Sequence, residues 1–327
     1  MSGSARLTKA ILRLYPAERH AELASTMQDT LAGQSRAGAV RELADLTVQG
    51  LRERSGLTAT SAVGAVVAAA APFAAASAIS ISLVFLVFAE RSWRHPYESP
   101  FAPPGPFDTL GPYAYALWLL VAVASCSGWA RAARLLMVAA VVMTAALVPL
   151  ARLTGWDSPP LIVLGVLVAF GVIALAAPPD PIGRPPLDGR VTVISMAFAA
   201  LLSAPVLVYF NVDFGQIGGL LGPDRPLWYH GREAADAMGV WIPALLVVAL
   251  IAAVACMRWN VLAPFAVVLL SVPWCAFAFS VGHDSYDHGA TVPYMRATVP
   301  YMVLPTALAL IAAVAALAHK TRRRAID

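Results

Sequence analysis

Apolar positions fill this chain in long blocks, and the first block sets the plan of the rest. Residues 61–89, from Ser61-Ala62-Val63-Gly64 to Leu86-Val87-Phe88-Ala89, contain no charged side chain. About 20 apolar residues suffice to cross the hydrocarbon core of a bilayer. Before this block the pattern is polar with helical periodicity. After it come apolar runs near 112–130, 133–151, 160–177, 191–210, 240–257, 260–281 and 299–318. The fold class predicted is all-α: a polytopic transmembrane helical bundle of about eight spans with a small helical prefix. The parts are a prefix at 1–58, a transmembrane body at 59–318 and a basic tail at 319–327.

The prefix reads as three short helices. Leu7, Ile11, Leu14 and Tyr15 fall at helical spacing in the first. Pro16 suits the first turn of the second, where Leu23, Met27 and Leu31 recur every fourth residue up to Gly33. Val40, Leu43, Leu46 and Leu51 form the apolar stripe of the third. About 55 residues bury too little apolar surface to be comfortably stable alone. The prefix is therefore expected to pack on a partner, on a second copy or on the membrane body.

Composition agrees with the pattern. Hydrophobic residues make up 59% of the chain and charged residues 13%, with a mean hydropathy of +0.70. Soluble domains carry about 25% charged residues, so most of this surface is expected to face lipid. The first apolar run begins too late for a cleaved signal peptide and is expected to act as an uncleaved anchor. Eight spans place both ends on one side. With the prefix inside, the inner segments hold 17 Lys/Arg against 9 Asp/Glu, and the outer ones 6 against 10. The positive-inside rule thus predicts cytoplasmic termini in a plasma-membrane protein. The net charge of +4 is sorted by membrane side and is no nucleic-acid signal.

The segment Leu12-Arg13-Leu14-Tyr15-Pro16-Ala17-Glu18-Arg19-His20, followed by an amphipathic helix and by Arg41-Glu42-Leu43-Ala44-Asp45-Leu46, resembles the N-terminal prefix of actinobacterial multi-pass membrane proteins. It is also similar to the permease prefix that precedes some ABC-type permeases. The resemblance covers roughly the first sixth of the chain. It implies a cytoplasmic, protein-binding or regulatory prefix on a membrane body.

Candidate chemistry is sparse. No Asp, Glu, Lys or Arg stands in the middle of a predicted span, which argues against a proton- or sodium-coupled site at the midplane. The only lysines, Lys9 and Lys320, follow no glycine-rich loop, so a P-loop is absent. H-E-x-x-H and G-x-S-x-G motifs and the paired glutamates of some intramembrane proteases are absent too. Cys126, Cys256 and Cys275 fall within or at the ends of apolar runs and read as small buried apolar residues.

Three outer segments hold the candidate site residues. Glu90–Gly111 is proline-rich and aromatic, with Trp93 and His95. Asn211–Gly239 carries Trp228-Tyr229-His230 and then Arg232-Glu233-Ala234-Ala235-Asp236, a stretch suited to a short interfacial helix. Trp93, His95, Trp228, Tyr229 and His230 are the ligand or partner candidates, against the plainer reading of an interfacial aromatic belt. In Gly282-His283-Asp284-Ser285-Tyr286-Asp287-His288-Gly289, helical spacing would set His283 beside Asp287 and Asp284 beside His288. Such a set could ligate Zn²⁺ or a similar divalent ion; no other cofactor is expected. A tandem Thr-Val-Pro-Tyr-Met at 291–295 and 298–302 fits an interface anchor. The tail Lys320-Thr321-Arg322-Arg323-Arg324 suits anionic lipid, and no nucleic-acid partner is expected.

The function these features favour is a non-enzymatic, permease-like or sensor-like membrane protein whose prefix engages a cytoplasmic partner, an ATPase or a regulator. The alternatives are the membrane subunit of an ATP-driven, ABC-type exporter and a metal-dependent enzyme acting at the outer face.

Overall fold

The computed structural model describes Ile11, Tyr15, Ala24, Leu46, Thr47 and residues 49–58, 60–88, 109–178, 192–201, 227–283 and 303–316, with backbone alone at Phe88, 227–240, 258 and 279–283. Among these residues the chain is entirely helical. In order it forms α1 (Ala62–Phe88), α2 (Gly111–Cys126), α3 (Ala130–Thr154), α4 (Leu161–Ala176), α5 (Thr192–Leu201), α6 (Leu227–Ala255), α7 (Ala263–His283) and α8 (Val303–Ala316). A 3₁₀ turn, Cys256–Arg258, joins α6 to α7. Among the described residues two helices are long and apolar enough to cross a membrane, Ala62–Val87 and Ala130–Thr154. The other apolar helical stretches among the described residues are shorter.

Local chemistry explains the boundaries. Ser61 caps α1: its Oγ accepts the N–H of Gly64 at 2.9 Å and itself donates to the Thr58 carbonyl. This satisfies one of the donors that every helix start leaves open. Gly128 stands at φ +71 in the turn between α2 and α3, a backbone state that side chains with a Cβ adopt at a cost. The sequence pattern runs its second span on to 130, whereas α2 stops at Cys126 because of that turn. α3 then continues to Thr154, past the expected end at 151, since Arg152 does not break a helix and Gly155 does.

The largest departure lies in α6. The sequence suggested a connection from 211 to 239 with a short interfacial helix at 232–236, but one continuous helix already begins at Leu227 and runs to Ala255. Arg232, Glu233 and Asp236 are polar yet compatible with a helix, so hydropathy alone misplaces its start. Pro243 lies inside this helix, as Pro273 does inside α7.

The chain divides into two compact units. One comprises residues 1–68 with 176–184; the other comprises 69–175 with 185–327. In the larger unit α2 pairs with α3 and α6 with α7 as hairpins, around a shared core. Residues 74–82 of α1 are buried without a break. In α3 the buried positions are Ala133, Met137, Ala140, Thr144, Leu147 and Ala151. They alternate four and three residues apart, the seam of a helix packed along one side. Gly171 of α4 admits a close approach: a Cβ there would overlap Val141 and come within 2.9 Å of Trp118 Cη2.

Candidate functional site

The densest polar and aromatic junction surrounds Trp274, near the middle of α7. This side chain is buried, and its indole N–H donates to Ser77 Oγ on α1 at 3.1 Å. Phe170 of α4 meets the ring edge-on at 5.4 Å, and Phe198 of α5 does so at 6.3 Å. Phe277 follows on α7 at 5.8 Å. Phe85 of α1 extends the cluster from Phe277 to Tyr115 of α2. An indole N–H without an acceptor is costly in an apolar core, and Ser77 removes that cost. The edge-on ring pairs add about 0.5–1.5 kcal/mol each beyond their buried area.

A second pair repeats the device. Trp118 Nε1 of α2 donates to Thr144 Oγ1 of α3 at 3.3 Å, and that hydroxyl donates to the Ala140 carbonyl at 2.6 Å. Ser80, Ser125 and Ser271 turn their hydroxyls onto carbonyls of their own helices. Ser82 Oγ is buried with no hydrogen-bond partner among the described residues. Besides the serine and threonine hydroxyls, the phenols of Tyr15 and Tyr115 and the thiol of Cys275 are buried among those residues. The junction is therefore a neutral support, tied across helices by the Trp274–Ser77 hydrogen bond.

The smaller unit holds a different arrangement. Ile11 and Tyr15 are buried, and Tyr15 Oη donates to the Leu46 carbonyl at 2.6 Å, closing the prefix on itself. Arg52 Nη2 donates to the Ala177 carbonyl at 3.1 Å, just beyond the last residue of α4. A cation is favoured there because the last carbonyls of a helix lack intrahelical donors. Leu51, expected on the buried stripe, is instead 51% exposed, while its neighbour Gly50 is buried. The end of the third prefix helix turns the face of Gly50 inward.

Of the residues singled out from the sequence, Trp228, Tyr229 and His230 occupy the first turn of α6. His283 is the last residue of α7. Trp93, His95, Asp284, Asp287 and His288 lie outside the described residues, as do the tandem repeat and the basic tail. Among the described residues no group of three or more His, Cys, Asp or Glu side chains comes together to hold a metal ion. Two of the three cysteines read as buried from the sequence, Cys126 and Cys256, are exposed; Cys275 is buried. Both exposed thiols sit at a helix end, where the partner helix turns away.

The sequence reading passed over Trp274, Ser77, Trp118 and Thr144. The available signal was a tryptophan in mid-span with hydroxyl residues at similar depth in other spans. Compared with protein-family models, curated proteins and solved structures, the chain gives no match.

Proposed function

We propose that this chain is an eight-span plasma-membrane protein with cytoplasmic termini, a non-enzymatic permease- or sensor-like body whose prefix engages a cytoplasmic partner. The observation that carries the functional part is the makeup of the smaller unit. It joins the prefix to the first residues of α1 and to the chain leaving α4. The prefix, on this reading the element that meets a partner, is thereby joined to the start of α1 and the end of α4. Leu51, exposed on the prefix, is apolar surface suited to that contact.

Membrane embedding rests on the outer surface of the larger unit. Leu135, Val142, Leu153, Val172, Val248 and Leu310 are each at least 51% exposed. On α3, Leu135, Val138 and Val142 recur at helical spacing among the exposed positions, an apolar face suited to lipid. Hydrogen bonds between helix ends support a threading in which each helix crosses once. Arg52 meets Ala177 with four helices between them, and the Leu110 N–H meets the Asp157 carbonyl with two between them. Thr192 Oγ1 meets the Ala122 carbonyl, again with two between. Each pair is an even number of crossings apart, so each pair shares a side. The excess of basic residues assigns that side for the termini.

Two measurements test this reading. The protein should remain with membranes through an alkaline carbonate wash; release into the supernatant overturns the membrane assignment. Affinity purification in mild detergent should recover a cytoplasmic protein with the full chain and lose it when residues 1–58, the whole prefix with Leu51, are deleted. Recovery of the same protein without the prefix overturns the partner assignment.

A further inference from the structure

The two helical hairpins turn on the same four-residue pattern. α2 ends in Cys126-Ser127-Gly128-Trp129, and α6 runs into Cys256-Met257-Arg258-Trp259. In both the cysteine is exposed at the helix end. In both the tryptophan three residues on is exposed, by 67% at Trp129 and 70% at Trp259. Main-chain bonds fix the two turns: the Trp129 N–H donates to the Ala124 carbonyl, and the Trp259 N–H to the Cys256 carbonyl, each at 2.9 Å. Two large indoles are thus presented outward by rigid turns, while Trp118 and Trp274 are buried. An exposed indole with an apolar body and a polar N–H suits the boundary between hydrocarbon and headgroups.

Charge narrows the partner. Arg131 and Arg134 follow Trp129 in the first turns of α3, three residues apart and therefore neighbours on the helix surface. The first turn of α3 contains no acidic residue. Cations at a helix start oppose the helix dipole, and an external anion relieves that opposition. The second turn carries Arg258 in its sequence.

We propose that the two Cys-x-x-Trp turns are a paired anchor for anionic phospholipid headgroups of a single leaflet, with Trp129 and Trp259 at headgroup depth and Arg131 and Arg134 on the phosphates. The proposal rests on the membrane reading above. On that reading four crossings separate the turns, so both reach the same leaflet.

The test uses the full chain purified in detergent, with its thermal unfolding followed as phosphatidylglycerol or phosphatidylcholine is added. A ligand bound by the folded state raises the unfolding midpoint with its concentration. Phosphatidylglycerol should raise it and phosphatidylcholine should not. Arg131→Gln with Arg134→Gln should remove more than half of that rise, and Arg152→Gln, at the far end of α3, should keep it. Equal responses to the two lipids, or a full rise in the double variant, overturn the proposal. In sealed inside-out vesicles a membrane-impermeant maleimide should label Cys126 and Cys256 from one side, assigned with Cys126→Ser and Cys256→Ser. Labelling from opposite sides also overturns it. Failure of the membrane reading itself would be seen separately, as release by the carbonate wash.

Discussion

Among the described residues α1 and α3 are the two helices both long and apolar enough to cross a membrane, and the protein treats them in opposite ways. In its most apolar window α1 is 67% buried and α3 only 28%. At residues 74–82 α1 is buried on every side, and all of these residues but Ile79 and Ile81 are alanine or serine. Small side chains let neighbouring helices come close all round. α3 buries a single seam and turns Leu135, Val138, Val142 and Leu153 outward. Equal apolarity thus serves two ends: helix packing in α1 and contact with the surroundings in α3. Residue size, rather than hydropathy, separates them.

The largest expected effect tests the α1 side of this contrast. Trp274→Ala removes a large buried ring and leaves Ser77 without its donor. A loss of about 3–5 kcal/mol is expected, measurable as a lower unfolding midpoint in detergent. A change no larger than that of a surface substitution would break the account of α1 as the packed centre. Val142→Lys tests the other side. If α3 faces lipid, a lysine at mid-helix should cost about 2.5–3.5 kcal/mol and lower recovery from the membrane fraction. If that face met water, the change should stay within about 0.5 kcal/mol.

A matched pair sharpens the comparison further. Ala78→Leu in α1 should destabilise by about 1–3 kcal/mol through overpacking, whereas Ala139→Leu on the open face of α3 should be close to neutral. Chemical denaturation of both variants measures the difference, and similar values would erase it. The smallest effect concerns the helix starts. Ser61→Ala removes the cap of α1 and should cost about 1 kcal/mol. The residue that precedes α3, Trp129, makes no side-chain cap bond. Amide exchange in residues 62–66 should quicken in the Ser61 variant while the start of α3 is unchanged.

Much of the helical layout was legible from the chain. The expected 61–89 and 160–177 became Ala62–Phe88 and Leu161–Ala176, because at these places the apolar run and the helix end together. The two diverge at α6, where hydropathy marks the apolar stretch and the helix continues through Arg232, Glu233 and Asp236. The α2–α3 turn was misplaced because glycine backbone geometry, rather than polarity, ends α2. The Trp274 junction was not legible at all. Its meaning depends on α1, α4, α5 and α7 meeting at one point, and no local pattern states which helices are neighbours. The attachment of Arg52 to Ala177 was hidden for the same reason, since its partners stand 125 residues apart.

That attachment bears on how such a chain can be recombined. A splice placed at the end of the prefix would leave the Ala177 carbonyl facing a foreign residue at position 52. An exchange of N-terminal segments that preserves this arrangement has to transplant residues 1–68 together with 176–184. The unit of inheritance for the prefix is thus two separate stretches of sequence, joined through the guanidinium of Arg52.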